Sequence, residues 1–250
     1  MVIIFAGSLI YLSNRDSKVQ QLPGQPPKIT IMPTPTKFPS INYAENEYSY
    51  LIYKNISMNN LELYFNLANK NTSLEIIEKF KCQAGINGGF YGTDDKPVGW
   101  MVVNFQNISK QKQSQLFNGF VTIFCQSDEC KIEINDIPGI NPKYGLQSGP
   151  LLISNGQSWR LNMERDKPAR RMVLGKTDKD IFILTVFDGE ALISGPNLAD
   201  LPEILKLIGK KENIQISDAI NLDGGSASAF YSPAVYLTET TTIGSWWCIK

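Results

Sequence analysis

The segment Ala219–Ser228 combines the residue types that most clearly suggest chemistry. An apolar run ends at Asp223, and Gly224, Gly225 and Ser226 follow it directly. A carboxylate at the end of a strand can act as an acid, a base or a nucleophile. The backbone amides of a glycine turn can together bind an anion such as a phosphate. The segment therefore predicts carboxylate chemistry beside an anion site. Burial would raise the pKa of Asp223, whereas neighbouring amides would lower it.

The composition narrows the chemistry further. The 250 residues include no histidine, which excludes a Ser-His-Asp or Cys-His mechanism within this chain. Acid–base steps must then use Asp, Glu, Tyr, Lys or Cys, and glycosidic bonds are commonly hydrolysed by carboxylates alone. The 24 basic and 24 acidic residues cancel, so the charge does not indicate a nucleic-acid partner. We expect no cofactor, and the sequence has no C-x-x-C pair or calcium loop that would predict a metal site.

Two further segments place polar side chains beside glycines. Residues 86–92 have the sequence INGGFYG, and residues 147–152 have the sequence QSGPLL. A strand that runs into two glycines suggests backbone that approaches a ligand closely. Asn87, Gln147 and Ser148 then offer amide and hydroxyl groups to a polar substrate. Taken alone, each segment is also compatible with an ordinary structural turn.

A pair of arginines precedes the apolar stretch that follows residue 171. An arginine at the start of a strand, such as Arg171, can hold a phosphate through two parallel N–H donors. The alternative is that Arg170 and Arg171 form surface ion pairs with their neighbours, of which Asp166 is the nearby acid.

Strands dominate the elements predicted around these segments. Aromatic and β-branched residues with partial alternation predict them over residues 47–54, 61–67, 83–91, 99–105, 119–125, 131–134, 146–155, 171–175, 181–187 and 216–222. Two helices are predicted, at residues 74–81 after the capping sequence Asn71-Thr72-Ser73 and at residues 198–209 after Asn197. The pattern indicates an α+β fold in a single domain, with a mixed, largely antiparallel β-sheet core and a few helices.

The first 42 residues differ from the rest of the chain. Residues 1–16 contain the apolar run VIIFAGSLIYL, which suits a signal-peptide core or short anchor, since a full membrane span needs about twenty apolar residues. Residues 17–42 are rich in proline, which indicates an extended linker. We therefore predict a signal or anchor segment at 1–16, a linker at 17–42 and one domain at 43–250. This organisation predicts an extracytoplasmic protein that is either secreted or tethered to a membrane through its N-terminal segment. The alternative for the apolar run is a buried strand.

Four cysteines permit full pairing in an oxidising compartment. Cys125 and Cys130 flank a turn-like stretch that follows a predicted strand, which predicts a disulfide across the end of a hairpin. Cys82 and Cys248 are then the remaining intramolecular pair. The alternative is four small, buried and reduced cysteines.

Five segments resemble, in the same order, those of the phosphodiester glycosidase family. They are INGGFYG (86–92), QSGPLLISNG (147–156), the strand from Arg171 to Gly175, FDG (187–189) with GPNLADLPEILKLIG (195–209), and DAINLDGGSASAF (218–230). Met172, Leu174 and Ala227 depart from the residues usual in the family, and residues 232–250 match it only loosely. The resemblance covers roughly residues 61–230 and implies an α+β domain with its site at strand ends.

A hypothesis for the mechanism assigns roles to individual residues. Asp223 would be the essential carboxylate, Arg171 would hold the phosphate, and Asp188 would supply the second carboxylate that glycosidases commonly use, with Glu190 and Asp94 as alternatives. The residues expected to bind the substrate are Asn87, Gly88, Gly89, Tyr91, Gln147, Ser148, Asn221, Gly224, Gly225 and Ser226.

The expected function is hydrolysis of a sugar-1-phosphodiester, with an N-acetylglucosamine-like sugar, on a cell-surface polymer or exported glycan. The products would be the free sugar and a phosphomonoester. Two alternatives share the scaffold: a carbohydrate-binding domain without turnover, and a wall-attached structural protein. Binding of the substrate without release of sugar would favour the carbohydrate-binding domain. An unchanged phenotype after loss of Asp223 would favour the structural protein.

Overall fold

Strands are more abundant than helices in the part of the chain that the structure, a computed structural model, describes: residues 37–127 and 129–250. The apolar segment at 1–16 and the linker up to residue 36 lie outside these residues. In chain order the strands are β1 (Ser40–Tyr43), β2 (Asn46–Ile56), β3 (Leu61–Phe65), β4 (Ala84–Asn87), β5 (Met101–Val103), β6 (Gln106–Ser109), β7 (Gly119–Gln126), β8 (Glu129–Asn135), β9 (Tyr144–Ser148), β10 (Leu151–Ser154), β11 (Gln157–Ser158), β12 (Arg171–Lys176), β13 (Ile181–Phe187), β14 (Asp218–Asn221), β15 (Phe230–Ser232), β16 (Val235–Leu237) and β17 (Ser245–Ile249). The first strand begins within the last residues of the predicted linker.

Three antiparallel sheets organise these strands. The largest has seven strands in the spatial order β1-β2-β13-β12-β14-β10-β11. The two others have five strands each, in the orders β16-β15-β4-β17-β3 and β6-β5-β9-β7-β8. Together with two α-helices, this arrangement confirms the predicted α+β fold with a largely antiparallel sheet core.

The central strands of the seven-stranded sheet are buried on both faces. Met172 and Leu174 of β12 point into a core shared with the five-stranded sheets. Val173, between them, points to the opposite face, where it joins the core that contains Ile204 and Leu205 of the second helix. Successive side chains of a strand point to opposite faces. The near-continuous apolar sequence of β12 and β13 therefore follows from burial on both sides.

Both predicted helices are present. Helix α1 (Ser73–Phe80) starts with a capping box, in which the Thr72 hydroxyl accepts a hydrogen bond from the Glu75 amide and the Glu75 carboxylate accepts one from the Thr72 amide. Helix α2 (Leu201–Glu212) begins three residues later than predicted, because residues 198–200 form a 3-10 turn. Pro202 then lies in the first turn, where its missing N–H is not needed.

One strand prediction was wrong. Residues 146–155 do not form a single strand: β9 ends at Ser148, and β10 begins at Leu151 in a different sheet. The chain changes sheets at Gly149 and Pro150, which are joined by a cis peptide bond. Gly149 has φ +146°, a conformation that L side chains rarely adopt, and proline cannot donate to a continuing ladder.

Strand register brings several sheet ends together. Arg171 pairs with Val186 across β12 and β13, and Val173 pairs with Asn221 across β12 and β14. Continuing that register places residue 223 beside Arg171. Leu151 pairs with Ile220, so the start of β10 lies at the same end. We call this end of the seven-stranded sheet, with the start of β12 and the end of β14, the site end.

Both predicted disulfides are confirmed. Cys82 bonds to Cys248, and Cys125 bonds to Cys130 across the β7–β8 hairpin. Such bonds are typical of proteins that fold in oxidising compartments. No helix among residues 37–127 and 129–250 is long and apolar enough to cross a membrane.

Candidate active site

Asp223 lies where strand ends from two sheets meet. Its backbone amide donates to the Gly88 carbonyl (3.0 Å), just after β4. Its backbone carbonyl accepts from the Asn87 side-chain amide (2.7 Å). The two glycine-bearing segments that sequence analysis singled out, 86–92 and 218–230, are thus joined directly, and Asp223 is fixed at their junction.

The surroundings of the Asp223 carboxyl raise its pKa. Burial disfavours its charged form and raises its pKa from 3.8 to about 7, although the Gly224 amide, which donates to the carboxylate, opposes this shift. Among the residues that the structure describes, Asp223 forms no ion pair. Near neutral pH this carboxyl can therefore either give or take a proton, which is the property required of a general acid or base.

Asn87 supports Asp223 instead of facing open space. The residue is 1% exposed. Its side-chain oxygen accepts from the Ala229 amide (3.0 Å), while its side-chain nitrogen donates to Asp223. Both ends of the amide are thus occupied by the chain on either side of the glycine turn. We conclude that Asn87 positions the catalytic candidate.

Residues 242–245, near the C-terminus, support the INGG turn (residues 86–89). The amides of Gly88 and Gly89 donate to the backbone carbonyl (2.8 Å) and the side-chain oxygen (3.2 Å) of Ser245. A methyl group added to Gly88 would collide with that hydroxyl. The Tyr91 hydroxyl donates to the Thr242 carbonyl (2.6 Å). Sequence analysis missed this segment because it matched the family only loosely.

The turn formed by residues 223–226, which we call the DGGS turn, has one exposed residue, Ser226. Its carbonyl accepts from the amides of Thr240 (2.8 Å) and Thr241 (3.1 Å). Both threonines are also exposed, so hydroxyl groups surround this side of the turn. The run TETTT at 238–242 was the available signal for this feature.

The two glycine amides of the turn are already engaged. The Gly224 amide donates to the Asp223 carboxylate, and the Gly225 amide donates to the Arg170 carbonyl (2.9 Å). The anion site that the sequence predicts at Gly224–Ser226 would thus have to rely mainly on Ser226 or on rearrangement of the turn.

Arg171 makes three contacts with the protein itself. Its Nε donates to the Pro196 carbonyl (2.9 Å), and its Nη2 donates to the Lys167 carbonyl (2.5 Å) and to Asp166 (3.2 Å). The ion pair with Asp166 is therefore present, but it is largely buried instead of lying on the surface. The contacts tie the segment before β12 to the site end.

Arg170 is buried next to the DGGS turn. Its Nε donates to the Ser228 hydroxyl (2.6 Å), and its Nη2 donates to the carbonyls of Thr238 (2.8 Å) and Ser228. Burial lowers the pKa of the guanidinium to about 10, so it stays protonated at neutral pH. Arg170 thus links the segments on both sides of the site, a role that the sequence did not indicate.

Gln147 is fully occupied by backbone groups. Its side-chain oxygen accepts from the amides of Trp100 and Lys112 (both 2.9 Å). Its side-chain nitrogen donates to the carbonyls of Lys112 (2.6 Å) and Phe117 (2.7 Å). The residue is predicted to bind substrate, and the structure shows that it joins the β6–β7 loop to the segment before β5.

We expect Gln147→Ala to lower the free energy of unfolding by about 3–5 kcal/mol. The substitution leaves four partly buried backbone groups without these hydrogen bonds. A fully buried unsatisfied group costs about 1–3 kcal/mol, and access of water lowers that cost here. Urea unfolding followed by circular dichroism measures the effect. Gln113→Ala is the matched control at an exposed glutamine nearby, and an equally small change for both variants would contradict the structural role of Gln147.

Asn221 and Ser148 connect β14 to the turn before β10. The Ser148 hydroxyl donates to the Asn221 carbonyl (2.8 Å), and the Asn221 side-chain nitrogen donates to the Gly149 carbonyl (2.9 Å). The Asn221 side-chain oxygen is buried without a partner among the described residues. An unsatisfied buried acceptor is costly, and this oxygen is the one side-chain polar atom of Ser148 and Asn221 in that state.

Asp188 occupies the same site end, two strands from Asp223. Its side chain accepts from the Glu190 amide (2.9 Å) and caps its own turn. Asp188 and Asp223 are therefore separated by two strand spacings across the sheet, each of about 4.8 Å, and are also offset along the strands. The two alternatives are exposed: Glu190 lies in the same turn, and Asp94 pairs with Lys96 (3.5 Å). No cluster of acidic or cysteine side chains in the described residues could hold a metal ion.

Comparisons with known proteins agree with this geometry. A family model described as phosphodiester glycosidase matches residues 80–246, which include the INGG turn, Arg171, Asp188 and Asp223. No curated protein matches the chain by sequence.

Three solved structures share the fold. One is the zebrafish N-acetylglucosamine-1-phosphodiester alpha-N-acetylglucosaminidase catalytic domain, auto-inhibited by its pro-peptide, with a TM-score of 0.59, 16% identity, and coverage of 81% of this chain and 83% of that one. Another is a hypothetical protein from Synechocystis, with a TM-score of 0.56, 15% identity, and coverage of 85% and 61%. The third is a putative exported protein from Burkholderia pseudomallei, with a TM-score of 0.57, 8% identity, and coverage of 81% and 74%.

At these identities the solved structures establish the fold alone. The family model, however, spans more than half of the chain and includes the strand ends that meet at Asp223. The chain therefore belongs to the phosphodiester glycosidase family.

Proposed function

We propose that this protein hydrolyses the glycosidic bond of a sugar-1-phosphodiester and releases the free sugar and a phosphomonoester. The observation that carries the proposal is the Asp223 carboxyl, whose pKa burial raises to about 7 at a junction of strand ends within the matched family segment. The zebrafish protein is named for an N-acetylglucosamine phosphodiester, which supports an N-acetylglucosamine-like sugar. The two disulfides support an extracytoplasmic location.

In the proposed reaction, water attacks the anomeric carbon and its oxygen forms the new C–O bond. The bond from the anomeric carbon to the phosphate oxygen breaks, and its electron pair leaves with the phosphomonoester. The second pKa of a phosphomonoester is about 6, so the leaving group needs little protonation near neutral pH. The step that most requires catalysis is the removal of a proton from the attacking water. We assign Asp223 to this step as the general base.

The second carboxylate, if one takes part, is Asp188. It lies two strands from Asp223 at the same site end, and inverting glycosidases keep their two carboxyl groups apart, by about 6.5–9.5 Å, to leave room for a water. Arg171 acts in this proposal as a positioning residue, because all three of its described contacts are with protein groups.

Hydrolysis of methyl N-acetylglucosamine-1-phosphate in oxygen-18 water tests the proposal. We expect free N-acetylglucosamine and methyl phosphate, with the heavy oxygen at the sugar C1 position as seen by mass spectrometry. Label in the phosphate would instead identify cleavage of a P–O bond. Binding of the substrate with no release of sugar would support a carbohydrate-binding domain and overturn the proposal.

A further inference from the structure

A large cleft adjoins the site end. Residues 113–116 and 118, before β7, form one wall, and residues 159–165, after β11, form the other. Its volume is about 1230 Å³, whereas sites for drug-sized molecules are typically about 300–1,000 Å³. A single sugar with a small alcohol would leave much of this space empty. The volume therefore suits a ligand of several units.

Hydrogen bonds connect the cleft to the candidate active site. Pro150 lines the cleft, and its carbonyl accepts from the backbone amide of Asn221 (3.1 Å), two residues before Asp223. Arg165, the last residue of the second wall, directly precedes Asp166, which Arg171 binds at the start of β12. The cleft is thus connected to the site end at two points, through Pro150 beside Asn221 and through the chain next to Asp166.

The cleft lining combines apolar surface with positive charge. Trp159 and Leu116 are 38% and 44% exposed, and an indole ring offers a flat apolar face to a sugar ring. Arg160 and Arg165 also line the cleft and form no ion pair among the residues that the structure describes. Glu164 is the one acidic residue in the lining, so the net charge is positive. Guanidinium groups bind phosphate through paired N–H donors.

We infer that this cleft binds the aglycone side of a glycan whose sugar units are joined by phosphodiesters. Sugar rings would pack on Trp159, and successive phosphates would contact Arg160 and Arg165. The substrate is then an oligomer or polymer of sugar phosphates, cleaved at the unit that reaches Asp223. The inference rests on the proposed function, since it names the substrate class of the same site.

Comparing two substrates distinguishes a variant that weakens binding in the cleft from one that slows bond cleavage at Asp223. One is methyl N-acetylglucosamine-1-phosphate, and the other is a tetramer of N-acetylglucosamine units joined by phosphodiesters. For the double variant Arg160→Gln/Arg165→Gln, we expect the ratio of kcat/KM for the tetramer to that for the methyl ester to fall about five- to tenfold, as two lost exposed ion pairs would give. Trp159→Ala should lower the same ratio through KM.

Lys179→Gln/Lys210→Gln is the matched control. It also removes two positive charges, from exposed positions outside the cleft, and should leave the ratio unchanged. An unchanged ratio in the arginine variant, or an equal change in both double variants, overturns the cleft assignment.

A separate measurement distinguishes failure of the cleft from failure of the proposed function. If the wild-type protein hydrolyses neither substrate, the proposed function is wrong. Titration calorimetry with the tetramer then tests the cleft assignment independently of catalysis. Weaker binding by the arginine variant than by the lysine variant supports the assignment, and equal binding overturns it.

Discussion

Asp223→Asn lowers kcat/KM for a sugar-1-phosphodiester by about 10²–10⁴-fold, the contribution typical of a general base. The substitution keeps the size of the side chain and its place at the end of β14. It removes the group that can take a proton from water. Hydrolysis of methyl N-acetylglucosamine-1-phosphate by the purified variant measures the loss.

The control is Asp178→Asn, an exposed aspartate in the turn between β12 and β13, away from the site end. It should leave activity at the wild-type level. Near wild-type activity of the Asp223 variant would show that this carboxyl is not the base.

The pH dependence of the rate reports the direction of proton transfer. With its pKa at about 7, Asp223 is a base only in its deprotonated form. We therefore expect kcat/KM to rise with pH through a midpoint near 7 and then to level off. A rate that instead falls through the same midpoint would identify Asp223 as the acid.

The same pKa predicts how stability changes with pH. The folded-state pKa is raised from 3.8 to about 7, so between these values the folded protein holds a proton that the unfolded chain has lost. The free energy of unfolding due to this group is therefore highest below about pH 4, and it falls as pH rises to 7. Three pKa units correspond to about 4 kcal/mol, and partial exposure of the side chain reduces our expectation to about 1–3 kcal/mol.

Asp223→Asn removes this pH dependence. Guanidinium unfolding at pH 5 and pH 8 should show the wild type losing more stability than the variant at the higher pH. Parallel losses in the two proteins would show that Asp223 is not buried enough to shift its pKa, whatever its part in the reaction.

The sequence analysis placed Asn87 and Asp223 in one site, with Asn87 as a substrate-binding residue, but it did not predict the hydrogen bond that joins them. Both segments end strands in glycine turns, which is a local property that sequence shows directly. The hydrogen bond from the Asn87 side chain to the Asp223 carbonyl joins strands of two different sheets. Such pairing depends on how the sheets pack, and no local pattern encodes it.

The two neighbouring arginines show a second limit of sequence analysis. Arg170 and Arg171 point to opposite sides because successive residues in extended backbone alternate. One binds Ser228 and Thr238, and the other binds Asp166. The identity of the partner follows from the path of distant loops, so a local reading could offer only a phosphate site or a surface ion pair.

The end of the chain was harder to predict than the middle. β17 contains two buried tryptophans and the Ser245 that supports the INGG turn. Its sequence is typical of a buried strand. It contributes to the site by pairing with β4, which is distant along the chain. Spacing within the C-terminal segment carries no trace of that partner.

Loss of the Cys82–Cys248 disulfide should lower the free energy of unfolding by about 5 kcal/mol. A cross-link stabilises mainly by restricting the unfolded chain, and the effect grows with the length of the closed loop. The two cysteines are 166 residues apart, whereas Cys125 and Cys130 are 5 apart. By the same relation, loss of the short bond should lower stability by only about 2 kcal/mol. Urea unfolding of Cys82→Ala/Cys248→Ala and Cys125→Ala/Cys130→Ala measures both.

The long-range disulfide also affects the site, because it lies on the strand pair that supports Asp223. Cys248 pairs with Gly85 across β17 and β4, and two residues along β4 lies Asn87, which binds Asp223. At the other end of β17, Ser245 binds Gly88 and Gly89. Loosening β17 therefore loosens the glycine turn, and we expect activity to fall in Cys82→Ala/Cys248→Ala under conditions where the variant is still folded. The hairpin variant loses only the disulfide across the β7–β8 hairpin, whose cysteines make none of these contacts, and it should keep its activity. Equal activity in the two folded variants would mean that hydrogen bonds alone hold the INGG turn against Asp223.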